Sequence, residues 1–162
     1  MDRLPLFFTF QDRIFGSGFL AEVEACGRAV VECNSDEEGM VWINGVQPGG
    51  IAAGAATRTA AYVEFREAYR EVLFDIAEEQ ATFASFKKAV LQFFSEVCRP
   101  TDAEWWAAVE QVRAVGHQEE GLARKSADTT EATITIQKVK STPEYNVTPV
   151  EDQQLVVLDM AA

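Results

Sequence analysis

Across residues 39–79 the chain reads as a strand, a Pro-Gly-Gly break, a short small-residue strand and a long amphipathic helix. That order dictates most of what the remaining chain can build. Pro48 fixes one dihedral and withdraws a donor, while Gly49 and Gly50 permit positive φ, so the strand at 40–45 must stop there. Residues 51–55, IAAGA, read as a short edge strand or as a loop that lets backbones approach closely. Thr57 or Thr59 can cap the helix that follows. Ala61, Phe65, Ala68, Val72 and Ile76 form one apolar stripe for the sheet, widened by Tyr62, Tyr69 and Leu73. The other side carries Glu64, Glu67, Glu71, Asp75 and Glu78, with Arg66 and Arg70 between them.

Upstream, residues 4–10 (LPLFFTF) form a dense apolar strand, and Gly16-Ser17-Gly18 a turn. Residues 19–25 alternate cleanly, Gly27 reads as a tight turn, and 28–34 as the partner strand. An exposed acidic turn follows at 34–39. The expectation is an antiparallel meander of about four strands joined by short hairpins.

Downstream, Thr82 can cap a helix at 83–97 whose main stripe is Phe86, Val90, Phe93 and Val97. Phe83, Leu91 and Phe94 project elsewhere, so this helix is buried or covered by another copy of the chain. Pro100 separates it from a third helix with a capping-box pattern at Thr101 and Glu104 and an inward face of Trp105, Val109 and Val112, ending at Gly116. Residues 117–131 are a polar linker. Residues 132–139 alternate and are β-branched, and 155–158 (LVVL) make a second late strand, with Pro143 and Pro149 between. The reading is an α+β fold: a meander sheet packed by a long helix, with two extra helices and a C-terminal strand pair. Its parts are a core over 1–80, a helical extension over 81–116, the linker over 117–131, and strands within 132–162 docking on the core or on a neighbouring subunit.

Composition narrows the function. Against 14 basic residues stand 26 acidic ones, a net charge of -12. Such a chain repels phosphate backbones and anionic membranes and attracts basic partners. Lys87-Lys88 and Arg124-Lys125 are isolated pairs, not a basic stripe, so nucleic acid is not favoured. Three scattered cysteines (Cys26, Cys33, Cys98) and one histidine (His117) write no zinc site and read as free thiols in a reducing, cytoplasmic setting. The N-terminus lacks the pattern of a signal peptide, and no apolar run approaches a membrane span.

Catalytic signatures are missing from the sequence. No phosphate-binding glycine loop or nucleophile elbow occurs. His117 lies in the polar linker, without the scaffold a general base needs. No catalytic, cofactor or metal residue is therefore assigned, and the chain reads as a non-enzyme. The helix carboxylates Glu64, Glu67, Glu71, Asp75 and Glu78 are the candidate contacts for a basic protein. Trp42, Tyr62, Trp105 and Trp106 are candidate interface anchors.

Several of these pieces together resemble the HicB-like antitoxin fold. They are the strands at 28–34 and 39–45, Val46-Gln47-Pro48-Gly49-Gly50, residues 51–54, Thr57, and the helix bearing Ala60, Phe65 and Leu73. The resemblance covers roughly residues 28–80, about a third of the chain. Gly50 stands where that family commonly has a cysteine. Members often carry a C-terminal helix-turn-helix or ribbon-helix-helix, and neither pattern follows Gly116. The resemblance implies a non-enzymatic antitoxin that masks a small basic RNase. The alternative is a stand-alone structural or small-ligand-binding oligomer of the same fold.

Overall fold

The computed structural model describes residues 2–34, 39–115 and 132–140. Its backbone is one long hairpin. β1 (Asp2–Gly16) and β2 (Phe19–Cys33) pair in a single unbroken register around Ser17-Gly18, with Gly18 at φ +79°. A two-residue loop makes Gly16 and Phe19 a hydrogen-bonded pair, so even-numbered residues of β1 bond to β2 and odd-numbered ones turn outward.

Gly27 is not a turn. β2 runs straight through it, because the missing Cβ is needed for close approach rather than for chain reversal. A Cβ there would lie 2.4 Å from the Phe8 ring and 2.5 Å from the Gln47 carbonyl oxygen. The two short strands expected at 19–25 and 28–34 are thus one strand, and the strand expected at 4–10 extends over all of β1.

β3 (Val41–Gln47) pairs with residues 28–33 of β2, and β4 (Gly49–Ala55) pairs with β3 after a reversal at Pro48, whose preceding peptide bond is cis. β5 (Thr133–Lys138) pairs antiparallel with residues 21–26 of β2. β3 and β5 therefore share one edge of β2, and β1 and β4 bound the main path of the sheet. The first late strand pairs within the chain. The turn residues 35–38, Gly116, the linker with His117 and Arg124-Lys125, Pro143, Pro149 and the strand expected at 155–158 all lie outside the described residues.

α1 (Arg58–Glu79) is capped by Thr57, whose Oγ1 accepts from the Ala60 N–H at 3.1 Å. It buries Ala61, Phe65, Tyr69, Leu73 and Ala77, a ridge spaced by fours. The expected stripe through Ala68, Val72 and Ile76 is half-buried on its flank. The largest ring decides this rotation. Tyr69 seats against Phe8 and Phe10 of β1 (centroids 5.9 and 4.6 Å) and Phe93 of the next helix (6.3 Å). α2 (Phe83–Ser95) has the expected Thr82 cap, closed into a capping box by Ser85, and buries Phe86, Val90 and Phe94 inside the chain. Val97 lies beyond its end and is exposed.

α3 (Arg99–Val115) starts two residues before the expected cap. Cys98 flanks it, with its carbonyl accepting from Asp102 N–H (2.8 Å) and its Sγ 3.1 Å from Thr101 Oγ1. Pro100 thus sits in the first turn, where its missing N–H costs nothing. The helix lies on the opposite face of the sheet from α1. Phe8 meets Phe65 of α1, while its neighbour Phe7 meets Trp105 of α3 (5.4 Å). The chain crosses between faces through residues 96–98, held to the β3–β4 turn by Gly49 N–H to Glu96 O and Cys98 N–H to Val46 O, both 2.9 Å. The result is three layers: α1 and α2 on one face, the sheet, and α3 on the other.

The Tyr69 hydroxyl is buried without a hydrogen-bond partner, and burial pushes its ionisation well above the ordinary tyrosine range. Tyr69→Phe should leave stability unchanged or raise it by about 1 kcal/mol, since an unsatisfied hydroxyl is removed. Above pH ~10 the unfolded phenol loses its proton while the folded one keeps it, so this residue's contribution to stability falls as pH rises. Urea titrations at about pH 8 and pH 11 should show a wild-type loss that is smaller in the phenylalanine variant.

Candidate functional site

Helical periodicity sends one side of α1 to the sheet and leaves the other to solvent. Glu64, Glu67, Glu71, Asp75 and Glu78 are all exposed there. Glu67, Glu71 and Asp75 converge, with Arg70 and Phe74, on an open hollow of about 360 Å³. Glu64 and Glu78 do not line it.

The hollow is fixed from the sheet side. Arg70 Nε lies 2.9 Å from Asp12 Oδ2 of β1, a charge contact without good hydrogen-bond alignment. The guanidinium carbon lies 5.4 Å from the Phe74 ring centroid, and Phe15 of β1 meets that ring edge-on at 5.1 Å. Phe15 is 65% exposed. Among the described residues the only basic group lining the hollow is therefore turned toward a carboxylate and a ring. Arg70 Nη1 also lies 4.0 Å from Glu67 Oε2 across one helical turn, so the carboxylates of Glu71 and Asp75, with the rest of Glu67, face an incoming group beside an aromatic ledge. Such a surface suits a cation with an apolar stem, as lysine and arginine have. Sequence spacing located the carboxylates but not the ledge, because Phe15 and Asp12 come from a strand distant in the chain.

Tyr62, a candidate anchor, is instead a clamp: its Oη lies 3.3 Å from Thr9 N and 3.4 Å from Thr9 O on the outer edge of β1. Trp42 and Trp106 are partly exposed, at 41% and 40%, whereas Trp105 is buried. Trp105 belongs to a second cluster that the sequence did not signal. Arg28, almost wholly buried on β2, donates through Nη1 to Asp102 Oδ1 at 2.7 Å, with its guanidinium carbon 4.9 Å from the Trp105 ring centroid. Arg3 donates to Glu32 Oε1 at 2.8 Å and reaches Glu104 of α3 at 3.5 Å. These contacts fasten α3 to the sheet and present nothing to a substrate. Lys87 and Lys88 are exposed on α2.

Among the described residues no three His, Cys, Asp or Glu side chains gather to hold a metal, and no helix is long and apolar enough to cross a membrane. Cys26, Cys33 and Cys98 are half-buried and form no disulfide. Compared with known proteins, the chain matches no family model, no curated protein and no solved structure.

Proposed function

We propose that this is a non-catalytic binding protein whose α1 surface docks a small basic protein, in the manner of a HicB-like antitoxin masking a basic RNase. The observation that carries the reading is the hollow at Glu67, Glu71 and Asp75, with its Phe15–Phe74 ledge. The net charge of -12 supplies long-range attraction for such a partner. The strand, Pro-Gly-Gly turn, strand and capped helix over residues 39–79 keep the order that the family resemblance rests on.

The partner to test is the product of the adjacent reading frame, co-expressed with this chain. A stoichiometric complex weakened by salt is the expected result. The triple variant Glu67→Lys, Glu71→Lys, Asp75→Lys should weaken it at least a hundredfold while leaving the fold intact, because all three side chains are exposed. A complex indifferent to these changes, or none with a short basic neighbour, would reject the reading. The alternative, a stand-alone oligomer, has less to draw on in α2, whose Phe86, Val90 and Phe94 are buried within the chain.

A further inference from the structure

The outer edges at the two ends of the main path, β1 and β4, differ in chemistry. On β1 three of the outward positions are managed. Pro5 has no N–H, Thr9 is clamped by Tyr62, and the Arg13 N–H is taken by Asp12 Oδ1 at 2.8 Å. On β4 nothing comparable exists among the described residues. Register places Ala53 and Ala55 against β3, so Ala52 and Gly54 turn their N–H and C=O groups away from the sheet. Between Gly49 and Ala56 the sequence has no charge and no proline. Unpaired backbone groups on an uncharged edge specify an extended strand as their complement.

The surroundings say which strand. On one face Trp42 lies against Gly54, where a Cβ would stand 2.7 Å from the indole, so the exposed ring borders the open edge. On the other face α1 packs closely over β4. Tyr62 marks the flank of α1 nearest β1. Glu64, about 200° further round the helix, is on the flank toward β4. A second copy at this edge would bring two such acidic flanks together. A strand with basic side chains on one face and apolar ones on the other meets Glu64 with charge and Trp42 with carbon.

We propose that the outer edge of β4 receives an extended lysine- or arginine-bearing segment of the partner as an added strand. The proposal rests on the acidic-face reading above and goes further by naming how the partner docks. Its backbone pairs with Ala52 and Gly54, and its apolar side chains pack on Trp42.

The probe is a short synthetic peptide alternating lysine and valine, beside the same peptide N-methylated at alternate residues. The full-length protein is used, with amide exchange read by NMR. The unmodified peptide should protect the Ala52 and Gly54 amides and shift Trp42 resonances. N-methylation should weaken binding at least tenfold without altering the protein. Ala52→Pro should do the same, since an outward N–H on an edge strand can be lost without disturbing the sheet. Equal binding of both peptides, with no protection at β4 but loss in the Glu67/Glu71/Asp75 lysine variant, would overturn the edge proposal and leave the acidic-face reading standing. Absence of peptide binding altogether would overturn the edge proposal, while the co-expression test above still decides the acidic-face reading. Protection of Ala52 and Gly54 without peptide, rising with protein concentration as the mass doubles, would give the edge to a second copy instead.

Discussion

Gly27→Ala should destabilise the protein by about 3 kcal/mol, the upper part of the range for overpacking a full core. The added methyl would meet the Phe8 ring on one side and the Gln47 carbonyl oxygen on the other. The ring cannot retreat easily, because Phe8 is fully buried against Phe65 and Tyr69. The carbonyl belongs to the end of β3, at the register shift beside Arg28. For a domain of this size the loss corresponds to a fall in Tm of roughly 6–12 °C. Gly18→Ala is the control. It has positive φ but nothing within 4 Å, so it should cost only about 1–2 kcal/mol of backbone strain. Adding Phe8→Leu to Gly27→Ala should relieve the ring clash but not the carbonyl clash, recovering part of the difference. A neutral Gly27→Ala, measured by urea unfolding, would mean that β1, β2 and β3 do not approach one another as closely as they do here.

Trp105→Ala should cost about 3–5 kcal/mol, the usual range for deleting a buried aromatic. Trp105 is the largest fully buried side chain and anchors the small cluster with Val30, Val46, Phe7 and Val109. It also supplies the ring beside the Arg28 guanidinium. The damage should be directional. α1 and α2 pack on the opposite face through a different cluster, so amide exchange should accelerate along α3 before it does along α1. Asp102→Asn should act more mildly, since Asp102 keeps some exposure and asparagine can still accept from Arg28. If α3 and α1 amides accelerated equally, α3 would not be a separately anchored layer.

These two sites show where sequence reasoning stops. Residues 39–79 were legible because period, proline, glycine and cap agree: β3, the reversal at Pro48, β4, the Thr57 cap and α1 all occur. The helix at Phe83 behind Thr82 and the strand at Thr133–Lys138 were legible for the same reason. Gly27 was misread because a glycine that permits a turn and a glycine that admits a neighbouring ring look identical in a string. The rotation of α1 differs from the expected one because spacing puts Tyr69 and Leu73 at the margin of the stripe, although both are fully buried and the Tyr69 ring sits at the centre of the packing. The start of α3 was missed because cysteine is an uncommon cap, while Thr101 and Glu104 mimic a common one. Nothing local says that α3 crosses to the other face, since the two backbone bonds at Val46 and Gly49 that carry it there are long-range. In the candidate site the carboxylates were visible by spacing, but Asp12 and Phe15 reach α1 only through the tertiary fold.

The shared edge of β2 sets a schedule for folding. Residues 28–33 find their partner in β3 a few residues later in the chain, but residues 21–26 wait for β5, beyond all three helices. During synthesis the first half of β2 therefore emerges with one side unzipped. Val23 and Ala25 lack the cover of Ile136 and Ile134 until nearly all the described chain has left the ribosome. Closing that gap joins distant parts of the sequence and pays its loop entropy last. β5 is in this sense a latch. The hairpin, helices and second layer can assemble in order behind it, and the finished sheet is sealed only when it arrives.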